Sequence, residues 1–185
     1  MIKPLFFAKI LISEVLTEGG SAVDATCGNG HDTAFLCSLV GETGRVFAID
    51  IQQEAINNTK QRILEEGLID RVTLQQGNHA DLAEYIESPV DVVMFNLGYL
   101  PKSSDRGIIT KPDTTVAALR AAIIALKKGG LITLVVYCGH PGGREEYDAL
   151  KSYTELLPQK EFTVLEYKLI NQINDPPLLI AISKL

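Results

Sequence analysis

Short apolar runs recur along the chain, each divided from the next by a stretch whose apolar residues return every three or four positions. The runs at 21–26, 45–50, 72–76, 90–96 and 131–137 have the length and the Val, Ile and Leu content of buried strands. Helical spacing occupies 32–39, 53–65, 81–84, 114–127 and 144–156, and a further amphipathic helix at 5–16 precedes the first strand. Strands alternating with helices imply a parallel, doubly wound sheet. The last two runs, 162–170 and 178–183, are joined by residues 171–177 with no helical pattern between them. They are expected to form a hairpin, which places one antiparallel strand in a mostly parallel, seven-stranded α/β sheet. No repeat, low-complexity tract or linker interrupts this pattern, so residues 1–185 read as one domain.

Chemistry concentrates where the first strand ends. Val23-Asp24-Ala25-Thr26-Cys27-Gly28-Asn29-Gly30 is an apolar run followed by a turn holding two glycines, and the second strand closes on Asp50. Glycines there let backbone approach a ligand closely. A carboxylate at the end of the next strand can accept both hydroxyls of a ribose. The pair points to a nucleoside-bearing cofactor. A dinucleotide site would carry G-x-G-x-x-G, but Gly28 and Gly30 are followed by His31, Asp32 and Thr33 with no third glycine. Asp24 also puts negative charge beside the turn, which disfavours a pyrophosphate and favours a cation. Asp-x-Thr-x-Gly-x-Gly resembles the Asp-x-Gly-x-Gly-x-Gly signature of class I S-adenosylmethionine (SAM) methyltransferases, with Thr26 at the first glycine. Taken alone, the same residues also suit an ordinary strand–helix turn.

Two further segments end strands. Asn96-Leu97-Gly98-Tyr99-Leu100-Pro101 follows the fourth, where ligands of open α/β sheets sit. Asn followed three residues later by Tyr resembles the Asn/Asp-x-x-Tyr/Phe motif of amino-group methyltransferases. An amide oxygen can accept from a target amine, leaving the nitrogen lone pair free, and an aromatic ring can stack on a base. Tyr137-Cys138-Gly139-His140-Pro141-Gly142-Gly143 follows the fifth strand, with His140 open to a substrate role or a turn-capping one.

Composition narrows the setting. A net charge of -6 argues against a surface coated for long nucleic acid but leaves room for a local basic patch. The apolar runs are too short to span a bilayer, and no signal peptide is evident, since Lys9 and Glu14 interrupt the first apolar region. Three cysteines without CxxC spacing suggest neither disulfides nor zinc and suit a reducing cytoplasm. No metal site is expected, because the histidines and acids lack ligand-like spacing.

Together, residues 24–33, 96–101, Thr-x-Pro-x-Thr-Thr at 110–115 and Tyr-x-Gly-His-x-Gly-Gly at 137–143 resemble the "putative rRNA methylase" family, whose characterised members are MnmM-type tRNA methyltransferases. The resemblance covers essentially the whole chain. It implies a class I, Rossmann-like fold and methyl transfer from SAM to the aminomethyl nitrogen of a modified wobble uridine. The partner would be tRNA at its anticodon region, and a homodimer stays open. The resemblance puts Asp24, Cys27, Gly28, Asn29 and Gly30 along the methionine half of SAM. Asp32 would reach its amino-acid moiety, and Thr33 would support the turn. Asp50 would bind the ribose, with Ile51 and Gln53 beside the adenine and Asn78 and His79 near its amino group. Asn96, Gly98 and Tyr99 would form the target-amine pocket with Tyr137 and His140, and Asn96 and Gly98 would also contact the cofactor. The chain departs from relatives after Leu-Pro, where Lys102-Ser103-Ser104-Asp105-Arg106 replaces a glycine-rich loop. An rRNA or small-molecule methyltransferase, an NAD-dependent oxidoreductase and a non-catalytic nucleotide-binding module are the alternatives.

Overall fold

The computed structural model describes residues 2–86, 89–98, 100 and 109–185. One seven-stranded sheet organises them: β1 (Ser21–Asp24), β2 (Arg45–Asp50), β3 (Val72–Gln76), β4 (Val90–Leu97), β5 (Leu126–Val136), β6 (Phe162–Tyr167) and β7 (Leu178–Lys184). Their spatial order is β3-β2-β1-β4-β5-β7-β6. Strands β1 to β5 pair in parallel, while β7 runs antiparallel to both β5 and β6. The expected hairpin therefore forms, and β7 is the single reversed strand, inserted between β5 and β6.

Helices cover both faces, which is why the central strands are apolar without alternation. In β4, Val92 and Met94 point to one face, where α1 (Pro4–Val15), α2 (His31–Val40) and α3 (Gln53–Glu65) contribute Ala8, Ile12, Leu36, Cys37 and Ile63. Val93, Phe95 and Leu97 point to the other. There they meet Leu82 of α4 (Leu82–Tyr85), Leu119 and Ala122 of α5 (Pro112–Ala125), and Leu150 of α6 (Gly143–Thr154). Among the described residues, no helix is long and apolar enough to cross a membrane.

The boundaries differ from the expected ones in a few places. Residues 126–127 were expected to end a helix, but Leu126 pairs with Val90 and opens β5. The register then shifts between Val90 and Val92, opposite the segment containing Gly129 and Gly130. Helical periodicity cannot register a partner strand. The short helix also begins one residue late, after a 3-10 turn at His79–Asp81 in which the Asn78 side chain accepts from the Ala80 N–H at 2.9 Å. The turn into α6 needs its glycine, because a Cβ on Gly143 would overlap the Tyr137 carbonyl oxygen.

Candidate active site

A cavity of about 510 Å³ opens at the carboxyl ends of β1, β2, β4 and β5. Strand order reverses between β1 and β4, so crossover connections leave in opposite directions and a crevice results. Its walls include Cys27, Gly28 and Asn29 after β1, Asp50 and Ile51 at and after β2, and Asn78 and His79 after β3. Asn96 and Gly98 close β4, and Tyr137 follows β5.

Asp50 is tied down before any ligand arrives. One carboxylate oxygen accepts the Gly28 N–H at 3.0 Å and the other accepts the Gln52 N–H at 3.0 Å. Each oxygen keeps a second lone pair, enough for two neighbouring hydroxyls. Burial raises the Asp50 pKa despite these donors. Beside it Ile51 is 53% exposed, an apolar surface on the cavity wall that suits a flat base. Gln52 lines the cavity where Gln53 was expected, since Gln53 is turned away to hydrogen-bond Asn57 on the next turn of α3. Asn78 lies on the wall but spends its oxygen capping the 3-10 turn, and burial drives the His79 pKa down to about 4, leaving a neutral ring.

Asp24, Gly30 and Thr33 support the wall from behind. Asp24 is buried and accepts from Thr33 Oγ1 at 2.6 Å and from the Thr26 N–H at 3.2 Å. Gly30 caps α2 in the left-handed region, with φ 77°, and a Cβ there would lie 2.9 Å from Thr59 Cα. Cys27 faces the cavity, but burial raises its thiol pKa, so it stays protonated.

Burial, helped by Asp32, pushes the Asp24 pKa up to about 7 from 3.8. A raised acid pKa means the native state holds the proton more tightly than the unfolded chain does. Stability is therefore greatest below about pH 4 for this group and is lost as pH rises toward 7. The difference amounts to roughly 4 kcal/mol. Asp24→Asn should flatten the pH dependence of Tm between pH 4 and 7 relative to wild type, as differential scanning calorimetry would record. Parallel pH profiles for the two proteins would reject a protonated Asp24.

Asn96 holds the centre. Its backbone N–H donates to Thr26 Oγ1 at 2.7 Å, and its side-chain Nδ2 donates to Asp32 Oδ2 at 3.1 Å. Its Oδ1 is buried and has no hydrogen-bond partner among the described residues. A buried acceptor without a donor is costly, and such groups mark places where a ligand supplies what the protein does not. Tyr137 stands nearby, its hydroxyl pKa raised by burial and then by Asp32. His140 packs behind Gly98, where a Cβ would lie 3.8 Å from its Nε2. Its Nδ1 faces the Pro141 carbonyl at 3.0 Å; a carbonyl only accepts, so Nδ1 donates. Tyr99 lies outside the described residues, as do Lys102 and Arg106.

The cavity also contains His31, Thr110 and Thr114, residues without a sequence-derived role, and Lys111, expected from sequence on the path of approaching RNA. Beneath them Glu146 is fully buried, accepting from Thr110 Oγ1 at 2.8 Å and Thr115 Oγ1 at 2.6 Å. Burial raises its pKa. The Thr-x-Pro-x-Thr-Thr motif thus serves to anchor the start of α5 to α6. The motif itself was visible in the sequence, but its acidic partner was not, since Glu146 reads as an ordinary first-turn acid of a helix.

Residues 46–183 match the family described as "Putative rRNA methylase". An Arabidopsis thaliana chloroplastic protein named tRNA (mnm(5)s(2)U34)-methyltransferase is 37% identical over 188 residues, covering 96% of this chain and 68% of its own length. A crystal structure of a putative rRNA-methylase from Clostridium thermocellum superposes with a TM-score of 0.97 at 47% identity, covering 100% of this chain and 99% of the other. A putative methyltransferase from Streptococcus mutans, solved in complex with SAH, superposes with a TM-score of 0.91 at 36% identity over 100% and 99% of the two chains.

Proposed function

The chain belongs to the rRNA methylase family and is a SAM-dependent methyltransferase of RNA type, and we propose that it methylates the aminomethyl nitrogen of a modified wobble uridine in tRNA. The observation that carries the reading is Asn96 Oδ1, a buried acceptor without a donor beside the cavity's aromatic wall. The name of the Arabidopsis relative supports the tRNA substrate.

The cavity suits the cofactor on its own chemistry. Asp50 has lone pairs left for a vicinal diol, and Ile51 offers apolar surface for a flat base. When bound, SAM supplies an electrophilic methyl group on a sulfonium. Asp50 would hold the ribose, Ile51 and Gln52 the adenine, and Cys27, Gly28 and Asn29 the methionine end.

The protein's share of the chemistry is placement. Asn96 Oδ1 accepts an N–H of the neutral amine, which leaves the nitrogen lone pair free to attack. Gly98 and Tyr137 wall the amine, and Tyr99 would stack on the uracil. The attacking amine needs no base to become nucleophilic once neutral, and water takes the proton from the ammonium product. Exclusion of water and fixed orientation contribute most of the rate.

Incubating the purified protein with SAM and tRNA bearing the unmethylated aminomethyl uridine tests this directly. Nucleoside mass spectrometry should find one added methyl on that base. Methyl incorporation only into rRNA, or into no RNA, would overturn the tRNA reading. RNA is expected to approach over residues 102–111, near Lys111 at the cavity mouth. The Lys102→Glu, Arg106→Glu double variant should raise the tRNA KM about tenfold and reduce the salt slope by about two. SAM affinity should barely move. Unchanged tRNA kinetics and salt slope would move the RNA site to another face.

A further inference from the structure

We infer that Lys9 and Asp32 are positioning residues that hold Asn96 with its carbonyl oxygen, rather than its NH₂, toward the target amine. The inference rests on the amine-pocket reading above and extends it to a residue on α1 that does not line the cavity.

An asparagine side chain is two-ended, and its ends do opposite things. Oδ1 facing the amine accepts an N–H and leaves the lone pair free. Nδ2 facing the amine would donate to that lone pair and occupy the nucleophile. Something must choose between the two rotations, which differ little in shape. Asp32 makes the choice: a carboxylate only accepts, and its Oδ2 lies 3.1 Å from Asn96 Nδ2. With Nδ2 so committed, Oδ1 is the end left buried and without a partner.

Asp32 needs its own charge balanced, because only 7% of its surface is exposed. Lys9 does this from α1, with Nζ 2.8 Å from Asp32 Oδ1 and 4.8 Å from the Phe35 ring centroid. Each Asp32 oxygen therefore has a partner before a ligand binds. That differs from the role expected from sequence, in which Asp32 reaches the amino-acid moiety of SAM. Without Lys9, Asp32 Oδ1 becomes an uncommitted anion beside the cavity, able to draw a ligand ammonium to itself and away from Asn96.

Steady-state kinetics with tRNA and calorimetric titration with SAM separate these roles. Asp32→Asn, whose amide can donate to Asn96 Oδ1 as well as accept from Nδ2, should lower kcat 30-fold or more with SAM Kd within threefold of wild type. Lys9→Met should lower kcat about tenfold with SAM Kd and tRNA KM unchanged, and Lys9→Arg should restore most of the loss. If Lys9 acts only through Asn96, adding Lys9→Met to Asn96→Ala should cost nothing more. A purely structural lysine would instead lower Tm and leave kcat intact in the folded protein, which would overturn the inference. So would a tenfold or greater loss of SAM affinity in Asp32→Asn, since Asp32 would then be a cofactor ligand. Asn96→Ala distinguishes the two levels. Normal turnover there removes the amine pocket itself, whereas slow Asn96→Ala with normal Asp32→Asn and Lys9→Met removes only the positioning role.

Discussion

Asn96→Ala should turn over about 100-fold more slowly than wild type or worse, with SAM affinity changed by no more than a few fold. The side chain presents one buried oxygen with no donor of its own, held by a hydrogen bond to Asp32 and by the backbone bond to Thr26. Such a preorganised acceptor costs nothing to reorient during reaction, and losing one contact of this kind typically costs roughly 3–4 kcal/mol of barrier. On the proposed reading the contact orients the amine, so the loss should appear in kcat. Single-turnover rates at saturating SAM, with calorimetry for binding, provide the check. Normal turnover would place the amine pocket elsewhere in the cavity.

Asp50→Ala should weaken SAM binding more than tenfold. Two ribose hydroxyls donating to one carboxylate form charge-assisted bonds, each worth on the order of 1.5–3 kcal/mol. The geometry adds a consequence that spacing alone does not show. Asp50 also accepts the N–H groups of Gly28 and Gln52, so alanine strips acceptors from the glycine turn and from the residue ahead of α3. Some fall in Tm is therefore expected. Asp50→Asn keeps one acceptor oxygen and should show a smaller Tm loss while still weakening SAM. A folded Asp50→Asn protein with wild-type SAM affinity would exclude the ribose role.

Strand positions were legible because burial on both faces demands continuous apolar runs. β2 and β3 begin and end where their sequences predict, at Arg45–Asp50 and Val72–Gln76. The glycine turn and Asp50 were legible for a related reason: the parallel pairing of β1 and β2 brings their carboxyl ends together, so residues just past each strand become neighbours. Gln52 and Gln53 mark the limit of that logic. The helix starts where expected, at Gln53, yet Gln53 turns to Asn57 on its own helix and the residue before it, Gln52, faces the cavity.

What the chain determined by itself is thus the local part: seven strands, their alternation with helices, and the chemistry parked at strand ends, all written in patterns shorter than about 20 residues. Tertiary structure alone decided the pairings between distant segments. Lys9 meets Asp32 across α1 and α2, Asp32 meets Asn96 at the end of β4, and Glu146 of α6 meets Thr110 and Thr115 at the start of α5. Each pair is invisible to periodicity, because polar partners inside a core obey no repeat. Hydrogen-bond direction is equally non-local. Which end of Asn96 meets the cavity depends on a carboxylate 64 positions away, and that single orientation makes the residue an acceptor.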